Sequence, residues 1–159
     1  MCDDSESQKK IREYCIRLLT RREHSQLELL NKLELKGFDR AETALIIDSL
    51  TDNGWQSNQR FAESYARYRI KKGFGPIKIR YELQQRGIEG TDLNEIVSDL
   101  AEGWDELLMQ VYKKKYQDQK ILTNKEWLSR SRFLQQRGFN GEMIKTLFDA
   151  LELQTIYFK

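Results

Sequence analysis

KKGFGPIKIRYELQQRGI, residues 71–88, joins two predicted helices through a tight turn. Gly73 favours the left-handed backbone conformation that closes many helices. Pro76 suits the first position of the next helix, because a backbone N–H there would have no intrahelical partner. Ile79 and Leu83 are four residues apart and share one face of that helix. The stretch therefore predicts a helix, a turn and an amphipathic helix that ends at a basic residue followed by glycine.

The ending of this stretch occurs three times in the chain at nearly constant spacing. Gly37, Gly87 and Gly138 are 50 and 51 residues apart. A leucine stands four positions before each glycine, a basic residue directly before it and a large apolar residue directly after it. Apolar residues also match nine and thirteen positions after each glycine. Six matched columns are difficult to attribute to coincidence among common helix residues, so they predict an internal repeat.

Apolar residues at helical spacing predict three helices in each repeat, and the first helix covers about residues 7–20. Capping boxes, in which a short polar residue precedes Glu by three positions, are predicted at Ser25, Asp39 and Thr123. Either Ser57 or Asn58 is expected to cap the fourth helix. These signals place the starts of the second, third, fourth and eighth helices.

Three further core positions and a connector complete the prediction, and the tail is left unassigned. Leu45, Tyr68 and Leu128 are expected on the inward faces of the third, fourth and eighth helices. Residues 117–122 are interpreted as a polar connector. The apolar and aromatic tail, residues 155–159, receives no assignment.

The expected fold class is all-α, with three tandem three-helix repeats in residues 1–54, 55–103 and 104–159. A single proline and many Leu, Glu, Lys, Arg and Gln residues agree with a mostly helical protein. Because distant repeats of a tandem array share little buried surface, we expect an elongated, curved array. Such an array presents an extended concave surface, which suits an extended partner.

The composition argues against several classes of protein. No apolar run approaches the roughly 20 residues that cross a bilayer, and the amino-terminal segment is polar and acidic. The two cysteines lie near one end and do not form a disulfide framework. We therefore expect a cytoplasmic monomer without membrane contact.

Residues for catalysis or metal binding are not grouped in the sequence. The single histidine, His24, and the two cysteines match no zinc-ligand spacing, so no metal and no cofactor is expected. The hydroxyl of Ser25 is better explained as a helix cap than as a nucleophile. The Gly-Phe-Gly-Pro segment at residues 73–76 lacks a following Gly-Lys-Ser/Thr, so it is interpreted as a turn. Anion contact at the following helix start is the alternative. An enzyme is not expected.

Charge is segregated along the chain although the net charge is only +2. Residues 60–88 carry eight basic and two acidic side chains, and residues 113–137 carry the same numbers. Residues 89–106 between them carry seven acidic side chains and no basic ones. One interpretation is a solvated helical face with compensating charge; the other is a surface that meets a polyanion.

Four segments resemble motifs of the RecX family of regulators of the RecA recombinase. They are REHSQLELLNKL (22–33), NGWQSNQRFAESY (53–65), KGFGPIKIRYELQQRGI (72–88) and RFLQQRGF (132–139). The third is the most specific, with its Lys-Gly-aromatic-Gly-Pro turn and its basic-Gly-Ile ending. Residues 55–58 depart from the family, which usually has an acidic pair before the Arg-Phe that stands here at residues 60–61. Any contact ascribed to that acidic pair is not expected in this chain.

The resemblance implies three tandem three-helix units and a non-enzymatic protein that binds the RecA filament on DNA. It implies a position in the filament groove that limits filament growth, and thereby ATP hydrolysis, strand exchange and self-cleavage of the SOS repressor. DNA contact would be weak or made through the filament. The alternative is a stand-alone DNA-binding protein built of helix-turn-helix-like units.

Candidate residues for contact with the RecA filament or DNA are chosen by charge and expected exposure, not by the resemblance. They are Arg60, Arg67, Lys71, Lys72, Lys78, Arg80, Lys113, Lys114, Lys115 and Arg132.

Overall fold

The computed structural model describes residues 2–156, and side chains from Glu6 onward. Within this range the chain forms nine α-helices and two short strands. The helices are α1 (Cys2–Arg21), α2 (Gln26–Leu35), α3 (Arg40–Asp52), α4 (Asn58–Lys71), α5 (Pro76–Gln85), α6 (Leu93–Ala101), α7 (Trp104–Lys115), α8 (Asn124–Gln136) and α9 (Gly141–Ala150). The strands are β1 (Ile121–Thr123) and β2 (Gln154–Ile156). The all-α class with three helices per repeat is confirmed.

Two of the three predicted capping boxes form completely. The Ser25 hydroxyl accepts from the backbone N–H of Glu28 at 3.1 Å, and the Glu28 carboxylate accepts from the backbone N–H of Ser25 at 3.3 Å. Thr123 and Glu126 make the same reciprocal pair at the start of α8, at 3.2 and 2.8 Å. Because each box satisfies two orphan amide donors, these helix starts are fixed by local sequence.

The third predicted box is only half formed, and the structure identifies Ser57 as the residue that caps α4. Asp39 accepts from the backbone N–H of Glu42 at 2.9 Å, but the Glu42 carboxylate accepts from the Ser7 hydroxyl of α1 instead of closing the box. Ser57 caps α4, because its hydroxyl accepts from the backbone N–H three residues further on at 3.2 Å. Asn58 is the first residue of the helix itself.

The described chain divides into two compact units. The first contains the residues up to Tyr65 together with Leu83–Thr91, and the second contains Ala66–Glu82 together with Asp92 onward. In the first unit α1 and α2 both pack on α3. One cluster of buried apolar side chains in these three helices consists of Ile11, Cys15, Leu29, Leu33, Ile46, Ile47 and Leu50.

The core of the second unit combines aliphatic residues with an aromatic cluster. The rings of Trp127 and Phe148 meet edge to face at 4.7 Å, and Tyr112 meets Phe148 at 6.0 Å. Leu108 and Leu134 are completely buried beside them in the same unit. These ring contacts join α7, α8 and α9 within the second unit.

Three residues expected in the core are exposed. Leu45 of α3 is 71% exposed, Tyr68 of α4 is 56% exposed and Leu128 of α8 is 60% exposed. Each lies on a helix that buries a different stripe; α3, for example, turns Ile46 and Leu50 inward. A shift of one residue rotates a side chain by about 100° around a helix, so apolar character alone did not identify the buried face.

The connector before α8 and part of the tail form a two-stranded parallel sheet, which the sequence did not predict. Ile121 pairs with Gln154, Leu122 with Thr155 and Thr123 with Ile156. The Leu122 side chain is completely buried, and this anchors the small sheet to the domain. Residues 157–159 of the tail lie outside the described part of the chain.

Candidate functional site

The second unit contains an open cleft of about 620 Å³ that we call the basic cleft. Its walls come from the end of α4, the end of α6, and parts of α7 and α8. Five cationic side chains line it: Lys71, Lys72, Lys114, Lys115 and Arg137. Four of these five were candidates from the sequence. The fold therefore brings together lysines from two repeats that are more than forty residues apart in the chain.

The floor of the basic cleft is apolar. Ile70, Ala101 and Leu107 are buried, and Val111 and Phe133 are half-buried against them. An apolar floor under a cationic rim can accept a ligand that has both an apolar surface and negative charge. The base and the phosphate of a nucleotide are one such combination.

The rim lysines are exposed and available to an anion. Lys72 lies 5.7 Å from the Tyr68 ring centre and Lys115 lies 3.5 Å from that of Phe133, while Lys71 and Lys114 extend into solvent. Among the described residues, no carboxylate forms an ion pair with any of the four lysines. Cations at the carboxyl ends of α4 and α7 also compensate the helix dipoles, which explains part of their placement.

Arg137 connects the two walls of the basic cleft. Its guanidinium donates to the backbone carbonyl of Lys72 at 2.8 Å. The same guanidinium lies 4.7 Å from the centre of the Phe74 ring and 5.3 Å from that of Phe133. Cation–π contact on both sides holds this side chain across the cleft without removing its charge. Arg137 was not a candidate from the sequence, where it appears only as the basic residue before the third repeat glycine. Its place in the repeat was the signal that could have identified it as a cleft residue.

The Gly-Phe-Gly-Pro turn packs directly on the turn between α8 and α9. The backbone N–H of Gly75 donates to the Arg137 carbonyl at 2.7 Å, and that of Ile77 donates to the Gly138 carbonyl at 3.1 Å. Interpretation of this segment as an inter-helix turn was correct. The alternative of anion contact at the start of α5 is disfavoured, because these two amides already have protein partners.

Phe74, at the centre of that turn, is surrounded by cations. Arg69 lies 3.7 Å from the ring centre and Lys78 lies 5.0 Å from it. The guanidinium of Arg69 also donates twice to the Glu82 carboxylate, at 2.8 and 2.7 Å, and both side chains are mostly shielded from solvent. This bidentate pair and the ring contacts indicate a structural role for Arg69.

Two candidates on α4 are held by ion pairs. Arg60, in the first unit, pairs with Glu23 at 2.9 Å and donates to the carbonyls of Gly54 and Trp55. Arg67, in the second unit, pairs with Asp99 of α6 at 3.1 Å. Neither lines the basic cleft, so the structure does not group them with the rim lysines.

The other four candidates have different surroundings. Lys113 lines a shallow cleft of about 700 Å³ and Arg132 another of about 480 Å³, and both clefts share Lys115 with the basic cleft. Lys78 is half-buried against Phe74, and Arg80 is exposed on α5 outside all three clefts.

Outside the basic cleft, the described cysteine, Cys15, is buried. Burial raises the pKa of the Cys15 thiol to about 11, so this sulfur stays protonated and unreactive near neutral pH. In the described part of the chain, no three His, Cys, Asp or Glu residues are placed to hold a metal ion. Over the same residues, no helix has the length and apolar character to cross a membrane.

Family models match each repeat separately. The model described as the first three-helix domain of RecX matches residues 12–50, the second matches residues 57–95 and the third matches residues 104–148. Together they account for most of the chain and follow the order of the three helical repeats.

Full-length relatives and solved structures give the same result. The chain is 35% identical to regulatory protein RecX of Legionella pneumophila (strain Corby), with 86% of this chain and 91% of the relative covered. It is 36% identical to that of Pseudomonas putida (strain W619), covering 90% and 92%. The crystal structure of RecX from Lactobacillus salivarius superposes with a TM-score of 0.70 at 19% identity, covering 93% of this chain and 98% of that one, which supports the fold. The chain belongs to the RecX family of regulatory proteins.

Proposed function

We propose that this protein regulates the RecA recombinase, mainly as an inhibitor, from the groove of the RecA–DNA filament. It limits filament extension and thereby ATP hydrolysis, strand exchange and the coprotease activity of the SOS response. It acts as a cytoplasmic monomer and makes no covalent change in its partner. Membership of the RecX family supports this proposal, and the basic cleft is the single structural observation that carries its contact site.

The chemistry of the basic cleft suits a phosphate backbone or an acidic protein surface within the filament. Each lysine that neutralises a phosphate releases condensed counterions, so binding should weaken steeply with salt. Half-buried Phe133 and the apolar floor add a surface for stacking or packing. A cleft that uses both contributions favours a partner with repeated charge and flat apolar groups, which a nucleoprotein filament provides.

The decisive experiment measures the ATPase of RecA on single-stranded DNA. A variant with Lys71, Lys72 and Lys114 changed to Glu should need at least about tenfold more protein for half-maximal inhibition, because three phosphate or carboxylate contacts are lost. Lys78 is left intact, since it packs on Phe74 and its reversal could disturb the fold.

A matched control reverses three exposed cations outside the basic cleft. Lys9 and Arg17 of α1 and Lys145 of α9 are exposed, and changing them to Glu gives the same change in net charge. This control should inhibit as the wild type does. Undiminished inhibition by the folded cleft variant would reject the role of the basic cleft, and no effect of the wild-type protein on RecA would reject the proposed function as a whole.

The stand-alone DNA-binding protein stays as the second candidate only because three-helix units permit it. The cleft cations are divided among the ends of α4, α7 and α8 and are not concentrated on one recognition helix. Fluorescence anisotropy with duplex DNA separates the two functions. Tight, sequence-selective binding without RecA would favour the second candidate, and weak, salt-sensitive, non-selective binding favours the first.

A further inference from the structure

The contact between the two turns described above leaves no space for a side chain. A Cβ atom added at Gly75 would lie 2.5 Å from the carbonyl oxygen of Gly138. A Cβ added at Gly138 would lie 2.7 Å from the backbone nitrogen of Lys78. Both distances are far below a normal van der Waals contact, and the opposing atoms belong to the backbone. Only glycine on both sides permits the observed approach.

This same contact lies between the two walls of the basic cleft. Lys71 and Lys72 stand immediately before the Gly-Phe-Gly-Pro turn, on the wall formed by the second repeat. Lys114 and Arg137 stand on the wall formed by the third repeat, and Arg137 directly precedes Gly138. The spacing between the two groups of cations therefore depends on how closely the two turns meet.

We propose that Gly75 and Gly138 are positioning residues for the basic cleft, an inference that rests on the proposed binding of a polyanion there. They hold the lysines of both walls at a distance where one polyanion can contact both sets at once. The backbone N–H groups of Gly75 and Ile77 donate to the opposite turn, and these hydrogen bonds fix the orientation of the two turns; we call this contact the joint. The bond from Arg137 to the Lys72 carbonyl links the two rims above it.

The affinity of the basic cleft for a single strand depends on how many cations contact the strand at the same time. When both walls engage one strand, about four lysines release counterions together, and when the walls move apart only the lysines of one wall do so. The salt dependence of binding to single strands falls by about 0.7 in log–log slope for each lost contact. Loss of two contacts therefore lowers affinity by about tenfold near physiological salt and reduces the slope by about 1.4.

Gly75→Ala is the cleanest test of this proposal. Gly75 has an ordinary backbone conformation, so the added methyl introduces no left-handed strain and acts through its collision with Gly138. The probe is a short fluorescein-labelled oligothymidylate, titrated by anisotropy at several salt concentrations. We expect the tenfold weaker binding and the shallower slope given above, although every cation is retained.

Gly141→Ala is the matched control. Gly141 is the first residue of α9, has no positive φ, and an added Cβ there meets nothing within 4 Å. This variant should bind with wild-type affinity and slope. Amide hydrogen exchange of Gly75 and Ile77 reports independently whether the joint has opened, and it should accelerate in Gly75→Ala but not in Gly141→Ala.

A second variant keeps the test informative if Gly75→Ala folds poorly. Arg137→Lys retains the charge but loses the fixed bond to the Lys72 carbonyl and the planar contact with Phe74. It should also lower the salt slope. Wild-type affinity and slope in either folded variant, with accelerated exchange at Ile77, would overturn the proposal.

The outcomes also separate this proposal from the function beneath it. If the wild type binds the oligonucleotide and the triple variant of Lys71, Lys72 and Lys114 loses binding, the basic cleft is the polyanion site. In that case an unaffected Gly75→Ala rejects only the positioning role. If the wild type fails to bind both the oligonucleotide and RecA filaments, the proposed function and the positioning role are both rejected.

Discussion

Equivalent turns make different contacts in the two compact units. In the first unit the turn at Gly87 rests on the side chain of Leu27 in α2, where an added Cβ would lie 3.1 Å from the leucine Cβ. In the second unit the turn at Gly138 rests on the backbone at the start of α5, around Gly75 and Lys78. Both turns follow the second helix of a repeat, and both pack against the start of the second helix in the preceding repeat.

The difference follows from how each receiving helix is capped. Ser25 caps α2 with its own hydroxyl and forms a complete box with Glu28, and the backbone N–H of Gln26 donates to the side-chain oxygen of Asn58 in α4 at 3.0 Å. The corresponding position before α5 is Gly75, twelve residues before its repeat glycine as Ser25 is, and it has no side chain. The amides of Gly75 and Ile77 therefore take the carbonyls of the α8–α9 turn as acceptors.

The comparison shows two ways to join helical repeats. At the helix that carries its own cap, α2, the Gly87 turn meets the Leu27 side chain, and no backbone hydrogen bond joins the two among the described residues. A helix without its own cap is completed by backbone carbonyls of the next repeat, which fixes distance and direction together. The Gly-Phe-Gly-Pro sequence is explained by the second kind of joint, because it removes both the cap and the Cβ that would separate the turns.

The largest predicted effect comes from alanine at the three equivalent glycines. Gly37→Ala adds only left-handed backbone strain, about 1–2 kcal/mol, because its Cβ meets nothing within 4 Å. Gly87→Ala adds a tight contact at 3.1 Å with the Cβ of Leu27, which the backbone of α2 holds in place, and should cost somewhat more. Gly138→Ala adds overpacking against the backbone of Lys78, about 1–3 kcal/mol beyond the strain. Urea unfolding followed by circular dichroism measures all three.

The order of these three losses is the test of the comparison. Equal losses at all three positions would mean that strain alone decides the effect and that the contacts between turns contribute little. A loss at Gly87 as large as that at Gly138 would mean that the two joints are equally rigid.

A smaller effect is predicted for the cap of α2. Ser25→Ala removes the acceptor for the Glu28 amide in a fully buried position and should lower the free energy of unfolding by about 1–2 kcal/mol. Ser57→Ala at the less buried cap of α4 is the reference and should cost about 1 kcal/mol or less. Urea unfolding again gives both values, and a smaller loss at Ser25 than at Ser57 would contradict the importance of the Ser25 cap for the start of α2.

The smallest effect is a pH dependence confined to the first unit. Burial lowers the pKa of His24 below its ordinary value of 6.5, against the opposing influence of its bond to the Arg22 carbonyl. The folded state therefore binds fewer protons than the unfolded state just below pH 6.5, and the stability of this unit should fall as the pH decreases from 7. The nearby charges of Arg22, Glu28 and Lys32 modify the size of this effect but not its direction.

Amide hydrogen exchange at pH 7 and pH 5.5 checks this last prediction unit by unit. The buried polar centre of the second unit is Arg130, which donates to the Tyr112 hydroxyl at 2.7 Å, and this unit contains no histidine. Its unit should show no corresponding loss. His24→Asn supplies a non-titrating donor and should remove the dependence; a persistent loss in this variant would assign it to another group.

Local features of the fold could be predicted from the sequence, and packing between elements distant in the chain could not. Ser25, Thr123 and Gly73 act within a few residues of themselves, so caps and helix ends were identified correctly. The exposed position of Leu45 depends on where other helices pack, and the pairing of β1 with β2 depends on residues about thirty positions apart. Neither is determined by local pattern.

The candidate site shows the same division. Charge segregation selected the two segments from which Lys71, Lys72, Lys114 and Lys115 come together at one cleft. Arg137 was missed because its role arises only where the third repeat meets the second. The candidates were selected by charge and expected exposure, and neither criterion distinguishes lysines without a carboxylate partner from cations that a carboxylate holds, such as Arg60 and Arg67.

The parallel pairing of β1 with β2 has a consequence for the order of events on the ribosome. β1 precedes α8, whereas β2 follows α9, so the nascent chain must be synthesised through Ile156 before the two strands can meet. Until then the segment around Leu122 lacks its partner, although α7 has already emerged. The part of the second unit around this sheet should therefore reach its native form late in translation.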